Sequence, residues 1–295
     1  MSTQTSPATH AVTTALSIRE TKGVRKVTML TAYDYPTASV VDSCGIDMIL
    51  VGDSLGMVML GREDTIGVTM DEMVHHCRAV TRGVSRSLVI ADMPFMSYET
   101  GVRDALINAA RLFQEGGVRS VKLEGGRDIA PQVSALVRAG MPVVGHIGLT
   151  PQRVAALGGF KVQGKTAKAA QILIEDARAL EEAGAFCIVL EAIPADIARR
   201  ITEAVGIPTI GIGAGNACDG QVLVLHDMLG FFDKFVPKFV KQFAKLRETA
   251  AEAIMEYRRE VEQGVFPAAE HSFSMPAEEQ ELLARQDVEH APDPK

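Results

Sequence analysis

Eight short apolar runs rich in Val, Ile and Leu recur along the chain: Val27–Thr31, Met48–Val51, Leu88–Ala91, Val118–Leu123, Pro142–Gly145, Phe186–Leu190, Pro208–Ile212 and Val222–Leu225. Several lack the inside/outside alternation of a half-exposed strand. Continuous apolar strands belong to parallel sheets covered on both faces. Between most of the runs lie helical stretches that stop at glycine. Thr69 and Glu72 have the spacing of a capping box and open a helix that passes His75 and His76 to Gly83. Arg103–Glu115 stops at Gly116, Ala130–Ala139 at Gly140, Thr166–Ala183 at Gly184 and Pro194–Val205 at Gly206.

Strand, helix and glycine repeated about eight times predict a (β/α)8 barrel, the TIM barrel. A doubly wound open sheet has the same alternation, but eight repeats in a chain of this length favour closure. The barrel is expected to be one catalytic domain over 25–275, preceded by a tail and lead-in over 1–24. A long amphipathic helix is predicted over about 235–262. Residues 276–295 are polar, Glu-rich and punctuated by proline, and read as a mobile tail.

The 295 residues carry 30 Lys and Arg against 37 Asp and Glu, a net charge of −7. That balance argues against a general nucleic-acid or membrane-surface partner. No apolar stretch approaches the ~18 residues of a membrane span. Cys44, Cys77, Cys187 and Cys218 form no CxxC pair and read as small buried hydrophobes in a reducing compartment. Met1–Ser17 is rich in Ser and Thr and lacks a basic start followed by an apolar core. It reads as a loose tail rather than a secretory signal, and a cytoplasmic location is the default.

The polar residues that close the runs carry the chemistry. Asp53 and Ser54 follow the second run, Asp92 the third, Glu124 the fourth, His146 the fifth and Glu191 the sixth. Barrel enzymes work at the carboxyl ends of their strands, so four carboxylates, Lys122 and His146 should meet on one rim. Crowded carboxylates must protonate or bind a cation, and an all-oxygen set suits Mg2+ before Zn2+. Lys122 and Glu124 are two apart, so both side chains face the same side of a strand. A buried lysine needs an anion, either an anionic substrate or a neighbouring carboxylate alone.

Three features read as decoys. Gly159 to Thr166 fits the phosphate-loop pattern, but no strand run leads into it. Gly211, Gly213 and Gly215 lack the third glycine spacing of a dinucleotide site and fit a close backbone approach. His75 and His76 are adjacent on a helix, cannot share one face, and read as surface or packing residues.

Several ordered blocks resemble the ketopantoate hydroxymethyltransferase family. They are Met29-Leu-Thr-Ala-Tyr-Asp-Tyr-Pro36, Val51-Gly-Asp-Ser-Leu-Gly-Met57, Ala91-Asp-Met-Pro-Phe-Met96, Val121-Lys-Leu-Glu-Gly-Gly126, Gly145-His-Ile-Gly-Leu-Thr-Pro-Gln152, Gly158-Gly-Phe-Lys-Val-Gln-Gly164 and Gly211-Ile-Gly-Ala-Gly-Asn216. The resemblance runs from about Val27 to Ser274, includes Phe266-Pro-Ala-Ala-Glu-His271, and absorbs the phosphate-loop pattern as one of its blocks. It implies a barrel of the phosphoenolpyruvate/pyruvate type. It further implies transfer of a hydroxymethyl group from 5,10-methylenetetrahydrofolate to 3-methyl-2-oxobutanoate through a Mg-stabilised enolate, giving 2-dehydropantoate and tetrahydrofolate on the way to pantothenate.

By the same resemblance Asp53 and Asp92 are ligands of one Mg2+ per subunit. Glu124 completes the metal surroundings directly or through water. Asp53, Ser54, Asp92 and Lys122 hold the oxo acid, and Glu191 accepts the proton. No role is assigned to His146. A cytoplasmic homodecamer of two pentamer rings is implied. Where the family commonly has Leu-Pro before Val-Thr, this chain has Ile66-Gly67-Val68-Thr69, which should loosen the loop after the second strand. A Mg-dependent oxo-acid lyase of the phosphoenolpyruvate mutase and isocitrate lyase type would use a similar barrel, but no Lys-Cys-Gly signature is present. A non-catalytic barrel that binds an oxo acid is the alternative outside enzymes.

Overall fold

In the computed structural model, which describes residues 12–232 and 235–289, the apolar runs close into a barrel. Its strands are β1 (Val27–Thr31), β2 (Met48–Val51), β3 (Leu88–Asp92), β4 (Ser120–Glu124), β5 (Val143–Gly148), β6 (Cys187–Glu191), β7 (Thr209–Ile212) and β8 (Gly220–Leu223). Neighbours pair in parallel throughout, and β8 returns to β1. The open-sheet alternative is thereby excluded.

Two apolar layers explain the lack of alternation. Met29, Met48, Leu50, Ile90, Val144 and Val189 form one cluster of buried residues with the other inward-facing positions. Val41, Met73, Leu112, Leu136, Leu180 and Ile201 come from the surrounding helices and belong to the second cluster, with the outward-facing strand residues. Burial of each such side chain stabilises the fold by roughly 1.5–3 kcal/mol.

Ile18 belongs to the inner cluster and is fully buried. It sits on a one-turn helix, Ala15–Arg19, capped by Thr14 and Ser17 in a reciprocal capping box. Lys22 fixes the chain that follows, donating to Thr202 O at 2.7 Å and pairing with Asp219 Oδ2 at 2.8 Å. Of Met1–Ser17, the segment expected to be loose, residues 12–17 lead into and form the start of the helix Ala15–Arg19. Residues 1–11 of that segment lie outside the described residues.

Three other expectations shift. β8 begins at Gly220, two residues before its apolar run, because a side chain there cannot fit: a Cβ on Gly220 would meet Val27 O at 2.5 Å. The helix predicted from 235 starts at Leu246. Phe235, Phe239 and Phe243 imitate a helical stripe, but Pro237 between them has no amide to donate. The polar tail read as mobile is helical over Ala277–Glu289, while 290–295 lie outside the described residues.

By compactness the chain divides into Met1–Ala244 and Lys245–Lys295. The first unit is the barrel. The second holds the helices Leu246–Glu262 and Ala277–Glu289. Of the cysteines, Cys77, Cys187 and Cys218 are buried as expected, whereas Cys44 is exposed.

Candidate active site

Strand register builds the site. Asp92 on β3 stands level with Lys122 on β4, Glu124 with His146 on β5, and Gly148 with Glu191 on β6. Lys122 and Glu124 share the inward face, as their spacing requires. Asp53, Ser54, Asp92, Lys122, Glu124, His146 and Glu191 all line one cavity of about 380 Å³. The rim predicted from sequence is therefore assembled, with every candidate residue on it.

The contacts run as a row. The Asp53 amide donates to Asp92 Oδ2 at 3.0 Å. Lys122 Nζ lies 3.0 Å from Asp92 Oδ1, 3.7 Å from Glu124 Oε1 and 3.0 Å from His146 Nδ1. His146 Nδ1 is 3.2 Å from Glu124 Oε1, and its Nε2 is 3.2 Å from Glu191 Oε2. Ser54 Oγ shares a hydrogen bond of 2.8 Å with the buried Tyr33 hydroxyl.

Glu191 is placed by its backbone. The Leu149 amide donates to Glu191 O at 2.9 Å. Gly148 permits this approach, because a Cβ there would stand 2.3 Å from Glu191 O. The next residue, Ala192, has φ +47, a left-handed conformation that costs a side-chain-bearing residue energy. Hydrogen bonds from Ala192 N to Ile212 O and from Gln163 N to Ala192 O, each 2.9 Å, hold it there.

Gln152 is a hub that sequence reasoning left without a role. Its Nε2 donates to Asp53 Oδ2 at 2.8 Å and to Met93 O at 2.9 Å, and its Oε1 accepts from Tyr98 Oη at 2.7 Å. Its amide donates to Glu124 Oε2 at 3.0 Å. One neutral residue thus fixes two carboxylates, Asp53 through its side chain and Glu124 through its backbone amide. Nothing in its spacing marks it, since it lies in the short helical turn Pro151–Arg153 after β5.

Burial and mutual repulsion set the charge states. Burial, together with the charges of Asp92 and Glu124, pushes the Asp53 carboxyl well above its ordinary range. Burial would lower Lys122, but Asp92, Glu124 and Asp53 outweigh it and hold the ammonium above its ordinary range. Glu124 is pushed up by burial yet held low by His146, Lys122 and the Gln152 amide. Burial and Lys122 oppose a charge on His146, and the carboxylates of Glu124 and Glu191 prevail, raising it to about 8.

With Asp53 ionised, four carboxylates face one ammonium and one imidazolium, which leaves two negative charges uncompensated. Asp92 Oδ1 faces the Lys122 ammonium at 3.0 Å, and Asp53 Oδ1 accepts no hydrogen bond from the described residues. An oxygen-only donor set with this surplus suits a hard divalent cation. Among the described residues no three His, Cys, Asp or Glu side chains form a ready-made metal cage. A Mg2+ site needs none, since this ion keeps waters and substrate oxygens in its shell. Both oxygens of Glu124 are already engaged, whereas Asp53 keeps an oxygen without a donor and Asp92 Oδ1 faces only the Lys122 ammonium.

The glycine-rich segment forms no phosphate loop, although its Phe160, Lys161 and Val162 line the cavity. The segment before Gly164 follows short helical turns, Pro151–Arg153 and Val154–Leu157, and Thr166 caps the helix Ala167–Glu182. His76 packs with its Nδ1 2.7 Å from Tyr33 O, and His75 is exposed. The loop expected to be loosened at Gly67 is held by Arg62, whose Nη1 donates to Gly67 O at 2.7 Å and to Glu72 Oε2 at 3.0 Å.

The family model described as ketopantoate hydroxymethyltransferase matches residues 12–269. The chain is 67% identical over 276 residues to the 3-methyl-2-oxobutanoate hydroxymethyltransferase of Oleidesulfovibrio alaskensis, covering 92% of this chain and 96% of that protein. It is 60% identical over 283 residues to the protein of the same name from Nitratidesulfovibrio vulgaris, covering 93% and 92%. Among solved structures, a phosphonopyruvate hydrolase shares the fold at TM-score 0.58 and 14% identity, covering 94% of this chain and 97% of that one. A 2,3-dimethylmalate lyase of the phosphoenolpyruvate mutase and isocitrate lyase superfamily does so at TM-score 0.55 and 17% identity, covering 94% and 96%.

Proposed function

Because this chain belongs to the ketopantoate hydroxymethyltransferase family, we propose that it transfers a hydroxymethyl group from 5,10-methylenetetrahydrofolate to 3-methyl-2-oxobutanoate. The products are 2-dehydropantoate and tetrahydrofolate. The observation that carries this reading is the unbroken row of buried charge from Asp53 to Glu191, which provides cation, anion and proton sites on one floor.

Mg2+, one per subunit and held by Asp53 and Asp92, would supply Lewis acidity toward the keto oxygen when bound. Lys122 faces the oxo-acid carboxylate with the one ammonium of the floor. Asp53, Asp92 and the Ser54 hydroxyl border the same space. Glu124 completes the metal surroundings through water, since its oxygens already accept from Gln152 and His146. Glu191 takes the proton from C3 as general base. His146 holds the Glu191 carboxylate over the floor, and Leu149, Val189 and Ile212 exclude water around it. The carbon freed of its proton then attacks the one-carbon unit. With the family resemblance go a cytoplasmic location and a closed homodecamer.

Proton NMR of 3-methyl-2-oxobutanoate in deuterated water tests the reading. The protein with Mg2+ and no folate should exchange the C3 proton. A protein that binds the oxo acid without exchange would be a binding module instead.

A further inference from the structure

Besides the charged floor, Phe160, Phe232, Phe235 and Phe239 line the cavity, with Lys161 and Lys238 among them at its edge. One carboxylate lies outside the floor. Asp227 lies in the helical turn Leu225–Met228 just after β8, is 9% exposed, and lines the cavity. Among the described residues its carboxylate has neither a hydrogen-bond donor nor an ion-pair partner. Its backbone is nonetheless fixed. The Leu225 amide donates to Thr31 Oγ1 at 3.0 Å, and Asp227 O accepts from the Gly230 amide at 3.1 Å.

The Asp227 carboxylate lines the cavity with no donor from the described residues, so its acceptor oxygens are open to donors that a ligand brings. Burial pushes Asp227 up to about 6, so it is still mostly ionised at neutral pH. The anionic oxo acid cannot be that ligand: Asp227 repels it, while Lys122 draws it to the floor. A group that fits must be flat enough to lie against phenyl rings and must present paired N–H donors. An amino-pyrimidinone edge has both properties, with an exocyclic amine and a ring N–H side by side to meet two carboxylate oxygens.

We propose that Asp227 and these phenylalanines form the subsite for the amino-pyrimidinone head of the folate co-substrate, with Asp227 accepting its paired N–H donors. This rests on the function proposed above. The two substrates then meet in one cavity, the oxo-acid carboxylate at the buried Lys122 and the N–H donors at Asp227. Transfer of a one-carbon unit between them requires such a shared space.

The test uses the full chain with Asp227→Asn, which keeps the shape and replaces an acceptor with a donor. The KM for 5,10-methylenetetrahydrofolate should rise at least about tenfold, as should the Kd for tetrahydrofolate measured by calorimetry, in line with loss of a charge-assisted pair. Folate-free exchange of the C3 proton and the KM for the oxo acid should stay within about twofold. Thermal stability at pH 8 should not fall, because an uncompensated buried charge is removed. Phe235→Ala, at a side chain 67% exposed and therefore dispensable for folding, should also weaken tetrahydrofolate. Wild-type affinity for tetrahydrofolate in both variants overturns the proposal, as does a rise in KM for the oxo acid equal to that for the folate. Failure of wild-type exchange would instead overturn the proposed function, and tetrahydrofolate titration still reads the subsite.

Discussion

His146 Nε2 lies 3.2 Å from Glu191 Oε2, while the opposite ring nitrogen lies 3.2 Å from Glu124 Oε1. One imidazole therefore spans the metal-side carboxylate and the proposed base. His146→Gln should lower kcat and the C3 exchange rate together, by up to about 10²-fold, because a small misplacement of a reacting group is that costly. The KM for the oxo acid should change little. The same histidine gives a pH signature to the metal-free protein. Its pKa is raised from 6.5 to about 8, so its stabilising contribution is complete below pH 6.5 and is lost as pH rises through 8. Melting temperature should fall across that window, and His146→Gln should flatten the fall. An unchanged slope would show that another group titrates there.

Metal binding should displace a proton from Asp53, whose carboxyl is pushed well above its ordinary range by burial and by Asp92 and Glu124. Calorimetric titration with Mg2+ in buffers of different ionisation enthalpy should show proton release that diminishes as pH rises. Asp53→Asn and Asp92→Asn should each abolish measurable binding. Wild-type affinity in both variants would contradict the metal assignment.

Lys122→Ala should raise the KM for the oxo acid far more than that for the folate. It also leaves Asp92 and Glu124 without their shared ammonium. Breaking a buried pair on one side typically costs about 3–5 kcal/mol, so the metal-free variant should melt well below wild type. Equal effects on the two substrates would make Lys122 a structural residue only.

Away from the site, the Asp42 carboxylate ties the helix Tyr35–Ser43 to the chain entering β3. It accepts from the amides of Ser85, Arg86 and Ser87 and from both serine hydroxyls, at 2.8 to 3.1 Å. Burial would raise its pKa, but these bonds outweigh burial and hold it at about 2. The contribution is complete above the unfolded value near 4 and is lost as pH falls toward 2. Asp42→Ala should destabilise by about 2–3 kcal/mol in denaturant melts at pH 7, with a smaller loss at pH 3. Catalysis should be unaffected.

The barrel was legible because strands buried on both faces must be apolar, and Ile49, Ile90 and Ile188 announce them. The site was legible because charge at the end of such a strand has few other reasons to be there. What escaped notice obeys neither rule. Gly220 and Gln221 belong to β8 without any apolar signal, and Gln221 is exposed. Phe235, Phe239 and Phe243 carry helical spacing for a different reason, since Phe235 and Phe239 wall the cavity. Gln152 is neutral, so only its partners reveal that it fixes Asp53 and Glu124. Ile18 hid in a polar segment because one buried side chain makes no pattern.

The central claim is that Glu191 removes the C3 proton of the oxo acid on the floor built by Asp53, Asp92 and Lys122. Glu191→Gln keeps the shape and cannot accept a proton. Loss of a general base costs about 10²–10⁴-fold. The most direct measurement is folate-free deuterium exchange at C3 of 3-methyl-2-oxobutanoate, followed by NMR in wild type and Glu191→Gln with Mg2+ present. Exchange is expected in the wild type, with a fall in the variant that matches its loss of turnover and with Mg2+ and oxo-acid binding retained. Exchange at the wild-type rate in Glu191→Gln would contradict this role and assign the base to another group on the floor.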